Sequence, residues 1–166
     1  MFYTLTHMSS DANNNKGASN AIKGTNANKG TSNNNKGASN NNNRSKGANI
    51  VLFFFELQMN VKLYHWTTES YSNHKATNEL LEKLSDLIDD FTEKYIGAFS
   101  RPVMKSGSSV PIQNMTKTKY VKFLKQAQEY LRGDLEKVIS KNTELLNIRD
   151  EVLAELDQSL YFATLN

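Results

Sequence analysis

The sequence predicts an all-α fold, an antiparallel four-helix bundle preceded by a disordered tail. Four segments of helical length carry apolar residues at the helical period, and no strand pair, hairpin turn or βαβ alternation competes with them. A single long connection, rich in Ser with Pro and Gly, separates the second segment from the third. Four helices of similar length with otherwise short connections are typical of an antiparallel bundle.

The predicted tail covers residues 1–48, and the predicted helical domain covers residues 49–166. Residues 11–47 are almost wholly Asn, Lys, Gly, Ser, Ala and Thr, and the block NNNKGASN occurs twice. Such a segment has too little apolar surface to offset the entropy lost on ordering, so it is predicted to be disordered. Its six basic residues and one Asp give a net charge of +5, which leaves −2 for the helical domain.

Two interpretations of this basic tail stay open. Spaced lysines in a flexible segment can contact the phosphates of a nucleic acid without sequence preference and with strong salt dependence. The Asn and Lys runs can also arise from AT-rich coding alone, and the dilute charge favours this second interpretation.

Composition excludes several classes of protein. The chain has no Cys, which excludes disulfides, thiolate metal sites and cysteine nucleophiles. It contains no P-loop, Rossmann fingerprint, G-x-S-x-G or H-E-x-x-H motif. The opening residues lack the features of a secretory signal, and the apolar run 50–55 is interrupted by Glu56 and Asn60. We therefore expect a cytoplasmic or intracellular protein, neither secreted nor bound to a membrane.

The first two helices are predicted from dense apolar residues between Asn49 and Trp66 and from a clear apolar stripe between His74 and Tyr95. Ser72 or Asn73 is the expected N-cap of the second helix, and Gly97 its expected C′ residue. We expect Tyr64 and Trp66 to be packing residues.

The third and fourth helices follow the long connection, residues 98–116. The third is predicted over residues 117–139, weakened by Gly133. The fourth begins after a cap at Asn142 or Thr143 and runs nearly to the end of the chain.

Two of the three histidines and a carboxylate pair form the candidate site. His65 and His74 flank the connection between the first two helices, and Asp89 and Glu93 lie on the polar stripe of the second. Imidazole with carboxylate is a ligand set suited to iron, manganese or zinc. His74 and Asp89 are separated by roughly 22 Å along one helix. A shared ion therefore requires a second copy lying antiparallel across a two-fold axis.

These residues resemble a known family. The stretch Lys62-Leu63-Tyr64-His65-Trp66, then His74, then Asp89-x-x-x-Glu93 is similar to the Dps-like branch of the ferritin-like superfamily. The segments 142–146 and 157–162 resemble the last helix of that family, and the chain is also similar to ferritin-like proteins of large DNA viruses. The resemblance implies a ferritin-like bundle and a homo-oligomer of at least two copies. It further implies that iron sites shared between subunits oxidise Fe(II), often in a protein that binds DNA.

The sequence departs from that family at two points. The connection between the histidines is short, and Asn78 stands where the family has a carboxylate one turn after the second His. A neutral amide is a weaker ligand for iron, unless Glu69, Glu79 or Glu82 substitutes for it.

Ordinary roles remain open for the same residues. A His at a helix C-terminus is favoured by the helix dipole, and acidic residues often form a solvated face. The alternatives to an iron-oxidising protein are therefore a catalytically inert ferritin-like scaffold and a nucleic-acid-associated or virion packaging protein with a basic tail.

Overall fold

The computed structural model describes residues 34–165, with side chains from residue 43 onwards. Within that range every regular element is a helix, as predicted. The part of the predicted tail that covers residues 1–33, together with its proposed contact to nucleic acid, lies outside the described residues. No helix in the described range is long and apolar enough to cross a membrane.

Helix α1 spans Asn34–Thr67 and begins well before the predicted start of the helical domain. The boundary predicted at residue 48 falls inside this helix. Gly47 and Ala48 are buried, and the Tyr95 hydroxyl donates a hydrogen bond of 3.1 Å to the carbonyl of Asn43. Contacts with the distant Tyr95, which composition does not reveal, therefore join residues 43–47 of α1 to the folded domain.

Replacing Gly47 with alanine is expected to destabilise the fold. A Cβ at this position would lie 2.8 Å from the Cε1 atom of the buried Tyr95 ring. Overpacking against a buried ring costs about 1–3 kcal/mol, which outweighs the helix propensity gained. The control is Gly97→Ala, where a Cβ meets nothing within 4 Å and a small gain in stability is expected. Urea denaturation measures both free energies of unfolding, and equal values would contradict the close approach.

Helix α2 spans Tyr71–Ala98 and begins after Ser70, whose hydroxyl accepts a hydrogen bond of 3.3 Å from the amide of Asn73. Gly97 continues the helix instead of ending it, which differs from the prediction. The glycine with positive φ among the described residues is Gly107, at φ 79°, in the long connection.

The connection of residues 99–116 is tied to α1 by Asn60. The Asn60 amide nitrogen donates hydrogen bonds of 2.9 Å to the Glu56 carbonyl and 2.8 Å to the Pro111 carbonyl. Its amide oxygen accepts a hydrogen bond of 3.1 Å from the Gln113 amide. Since Asn60 is buried and its amide is engaged on both sides, the connection is held along the outside of α1.

The predicted third helix is present with one interruption. It consists of α3 (Lys117–Tyr130), a π-helical segment (Leu131–Leu135) and the short α4 (Glu136–Ile139). Arg149 Nη1 donates hydrogen bonds to the Leu131 carbonyl at 3.2 Å and to Glu136 at 2.7 Å. Arg149 therefore satisfies a carbonyl at the start of the π-helical segment.

Helix α5 spans Thr143–Phe162 and is capped by Asn142, whose side-chain oxygen accepts a hydrogen bond of 3.0 Å from the Leu145 amide. Asn142 was one of the two predicted caps, so this prediction is confirmed. Tyr120 at the start of α3 contacts Ser159 near the end of α5, at 3.3 Å between their hydroxyl oxygens. Together with the Arg149–Leu131 contact, this shows that α3 and α5 run antiparallel.

Helix α1 also runs antiparallel to both of its neighbours. Against α2, Asn43 contacts Tyr95 and Phe54 packs edge-on on Phe91, so residue numbers rise along α1 as they fall along α2. The same holds against α3, where Phe53 packs on Tyr130 and Tyr64 stacks on Tyr120, with ring centroids 4.1 Å and 4.0 Å apart. It follows that α1 and α5 point one way while α2 and α3 point the other, and that the long connection returns the chain from one end of the helices to the other. The core includes the fully buried side chains Phe54, Leu57, Val61, Leu84, Phe91, Leu124, Leu131, Leu145 and Leu156.

Candidate metal centre

The structure stacks His65 and His74 against each other. Because only residues 68–70 separate α1 from α2, the last turn of one helix lies beside the first turn of the next. The ring centroids of His65 and His74 are 4.0 Å apart, and the ring planes differ by 22°. The two histidines, which flank this connection in the sequence, are thus brought together.

Each histidine binds the backbone of the other. The Nδ1 atom of His65 lies 3.0 Å from the carbonyl oxygen of His74, and the Nδ1 atom of His74 lies 3.0 Å from the carbonyl oxygen of His65. A carbonyl oxygen only accepts, so the hydrogen bonds require a proton on both Nδ1 atoms. In the neutral rings both Nε2 atoms then carry free lone pairs. Neither Nε2 has a hydrogen-bond partner within residues 43–165.

Thr77 supports this arrangement from the second turn of α2. Its hydroxyl donates to the Asn73 carbonyl at 2.7 Å and lies 3.1 Å from His65 Nδ1. Asn73 in turn donates a hydrogen bond of 3.3 Å to the hydroxyl of Tyr64. Thr77 and Asn73 are buried, so they fix the position of His65. The sequence analysis did not identify Thr77. Its position three residues after His74, near the start of the predicted helix, could have indicated that its hydroxyl lies close to the histidines.

Burial lowers the pKa of His65 below its ordinary value of 6.5. The hydrogen bond to the His74 carbonyl opposes this effect, while the nearby His74 and Lys62 side chains add to it. The imidazole of His65 is therefore held in its neutral form, which is the form that binds metal ions.

Asp89 and Glu93 are exposed and lie about four and five turns beyond His74 along α2. Neither carboxylate makes a hydrogen bond or an ion pair with another described residue, whereas the adjacent Asp90 pairs with Lys94. Residues of one chain do not form a group of three or more metal-ligating side chains in the described part of the structure. The carboxylates and imidazoles thus stay apart within one chain, as their spacing predicted.

Asn78 lies one turn after His74 and donates a hydrogen bond of 2.7 Å to Glu82. The amide nitrogen of Asn78 is therefore engaged in a hydrogen bond, and its side-chain oxygen is the atom that could bind a metal ion. Glu82 is exposed and follows His74 by two turns, so it lies on the same side of α2.

Trp66 differs from the prediction that it packs in the core. It is 68% exposed, and Lys62 Nζ lies 5.3 Å from the centre of its ring. Tyr64 is buried as predicted.

Comparisons with known proteins connect the chain to one described family. The sequence profile of DUF5856, a family of unknown function, matches residues 65–162, which include both histidines and both carboxylates. An uncharacterized 14.6 kDa protein from the mobD-ri intergenic region of Enterobacteria phage T4 is 40% identical over 50 residues. That alignment covers 28% of this chain and 39% of the phage protein. No solved structure matches the chain.

Proposed function

The chain belongs to DUF5856, a family of unknown function, and we propose that it is a ferritin-like four-helix bundle that binds and oxidises iron at sites shared by two copies. The observation that carries the proposal is the stacked pair of imidazoles whose Nδ1 protons are fixed by backbone carbonyls. A histidine that ligates a metal almost always donates its other ring N–H to a carbonyl or carboxylate. His65 and His74 both have this arrangement.

The other half of the proposed site consists of Asp89 and Glu93. These carboxylates are one helical turn apart, exposed and free of ion pairs with other described residues. Since roughly 22 Å of helix separates Asp89 from His74 and roughly 28 Å separates Glu93 from it, the carboxylates reach the histidines only from a second, antiparallel copy. Two imidazoles with two carboxylates suit iron, and manganese and zinc are the alternatives.

The course of the chain supports a ferritin-like bundle. Ferritin-like folds are distinguished from simple up-and-down bundles by one long crossover connection. Here residues 99–116 connect α2 to α3, which point in the same direction, and Asn60 holds this connection along α1. The remaining connections between the long helices are short.

Iron is the substrate in this proposal. Each Fe(II) gives up one electron to dioxygen or peroxide and becomes Fe(III), whose higher charge the carboxylates stabilise. His65 and His74 hold the ion through Nε2, and Thr77 keeps the His65 ring in the orientation that this requires. Asn78 supplies one negative charge fewer than a carboxylate, so we expect weaker retention of Fe(III) than with Asp at this position.

Titration of the purified protein with Fe(II) under anaerobic conditions, and separately with Mn(II) and Zn(II), tests the proposal. Asp89→Asn combined with Glu93→Gln is expected to weaken binding by at least ten- to a hundred-fold, because it removes both anionic ligands. The control, Glu129→Gln on α3 with Asp134→Asn on the π-helical segment, makes the same change in net charge away from the ligands and should bind like the wild type. A stable oligomer that binds none of these ions would select the inert scaffold instead.

A further inference from the structure

An apolar stripe on the outer side of α1 is only partly covered in the described structure, by residues 104–110 of the long connection, which lie beside Phe55. Phe55 is 47% exposed, Met59 is 44% exposed and Trp66 is 68% exposed. Lys62, which is half-buried, lies between Met59 and Trp66 in the sequence. The four residues follow one another at intervals of four, three and four positions, which places them on one side of the helix. Large exposed side chains aligned in this way mark an interaction surface.

This α1 stripe borders the polar stripe of α2 that carries the candidate ligands. Phe54 packs on Phe91 of α2, and His65 stacks on His74 of α2. Phe55 and Trp66 each follow one of these contact residues by a single position, about 100° further round the helix. They therefore point outward from the edge of α1 next to α2.

We infer that a second copy of this chain covers the α1 stripe, with its own α1 antiparallel to the first. The inference rests in part on the proposed function, because joining His74 of one copy to Asp89 of the other places the two-fold axis halfway between them, near Glu82. The Phe54–Phe91 and His65–His74 contacts show which residues of α1 and α2 lie at the same level. Interpolation between these two contacts places Glu82 of α2 level with about residue 60 of α1.

The α1 stripe gives the same axis independently. An antiparallel copy pairs Phe55 with Trp66 and Met59 with Lys62 when the axis passes between residues 60 and 61, so the stripe is complementary to itself. A two-fold interface requires such self-complementarity. Phe55 then meets an aromatic ring, and Met59 meets the aliphatic stem of a lysine.

Charge also favours a second copy as the occupant. The exposed Lys75 lies beside His74 near the start of α2, while Asp86, Asp89 and Glu93 lie towards its end. Antiparallel packing brings the first half of one α2, where Lys75 and Lys83 balance Glu79 and Glu82, opposite the acidic end of the other. Parallel packing would place like charges together.

Cysteine pairs test this geometry, since the natural chain has none. In Phe55→Cys with Trp66→Cys, the two sites lie about 16 Å apart along α1, too far for a disulfide within one copy. Mild oxidation of the full chain in the presence of a chelator is expected to give covalent dimers. Each single variant, and the control Tyr161→Cys on the exposed part of α5, should remain largely uncrosslinked.

Absence of covalent dimers in the double variant, or equal dimer formation by the single variants, would overturn the inference. Sedimentation velocity provides a second measurement. Phe55→Ser with Met59→Ser should raise the dimer dissociation constant at least ten-fold over wild type and over Tyr161→Ser, and a wild-type monomer at all concentrations would also overturn it. The fluorescence of Trp66, the single tryptophan, should shift to shorter wavelength on association.

The test separates this inference from the proposed function. Covalent dimers that take up no Fe(II) would keep the α1 interface and remove the shared iron site. Iron uptake that depends on Asp89, without crosslinking between residues 55 and 66, would keep the iron site and remove the α1 interface.

Discussion

Two variants that each bind little metal by themselves are expected to restore binding when they are mixed. A dimer of His74→Ala chains lacks an imidazole at both sites, and a dimer of Asp89→Ala chains lacks a carboxylate at both. In a mixed dimer, His74 of the Asp89→Ala chain meets Asp89 of the His74→Ala chain, so one of the two sites is intact. This result follows from the distance of about 22 Å between these residues on one helix.

Random exchange at equal concentrations makes half of the dimers mixed, so about one quarter of the wild-type iron content should return. Elemental analysis after exchange in dilute denaturant measures this content. The matched control mixes His65→Ala with His74→Ala. Because both residues belong to the same half of the site, every site in that mixture lacks one imidazole. Recovery in the control, or none in the complementary mixture, would contradict a site shared in this way.

Replacing Leu84 with alanine is expected to cost about 2–5 kcal/mol in the free energy of unfolding. Leu84 is fully buried (0% exposed) in the middle of α2. Removing this side chain leaves a cavity. The higher helix propensity of alanine offsets only a few tenths of a kcal/mol of the lost packing energy.

The matched control is Leu165→Ala, since Leu165 is 46% exposed and should lose less than about 1 kcal/mol. Urea denaturation must be compared at one protein concentration, because association adds to the apparent stability. Similar losses for the two variants would contradict the burial of Leu84.

Much of the helical architecture could be predicted from local signals. The apolar period of α2 places Leu84, Ile88 and Phe91 on its buried side, where the structure has them. Asn142 was identifiable as a cap because a side-chain oxygen at that position can accept from the first turn of the helix. Pro102, Gly107 and Pro111 likewise indicated the long connection.

The features that could not be predicted from the sequence depend on contacts between residues far apart in the chain. Gly47 belongs to a low-complexity segment, and its close approach to the distant Tyr95 and Pro102 places it in the folded domain. The π-helical segment is accompanied by the Arg149 contact to Leu131, eighteen positions away.

At the candidate site, spacing alone indicated that His65 and His74 are close. The exchange of backbone hydrogen bonds that sets their tautomers depends on how α1 and α2 pack. The identity of the two residues could not reveal this exchange of hydrogen bonds. Two histidines form it only when α1 and α2 are placed at one particular position along each other's axes. The exposure of Trp66 likewise follows from which edge of α1 meets α2.

The contact between Asn60 and Pro111 joins positions 51 residues apart and bears on the order in which the molecule assembles. Helices α1 and α2 are joined by a turn of three residues, and α4 and α5 are joined by a turn of the same length. Each pair can form rapidly as a hairpin, since little chain entropy is lost in closing a short loop. Docking the two hairpins requires the intervening 99–116 segment to be drawn the full length of the molecule. That docking, rather than the formation of any single helix, should set the refolding rate.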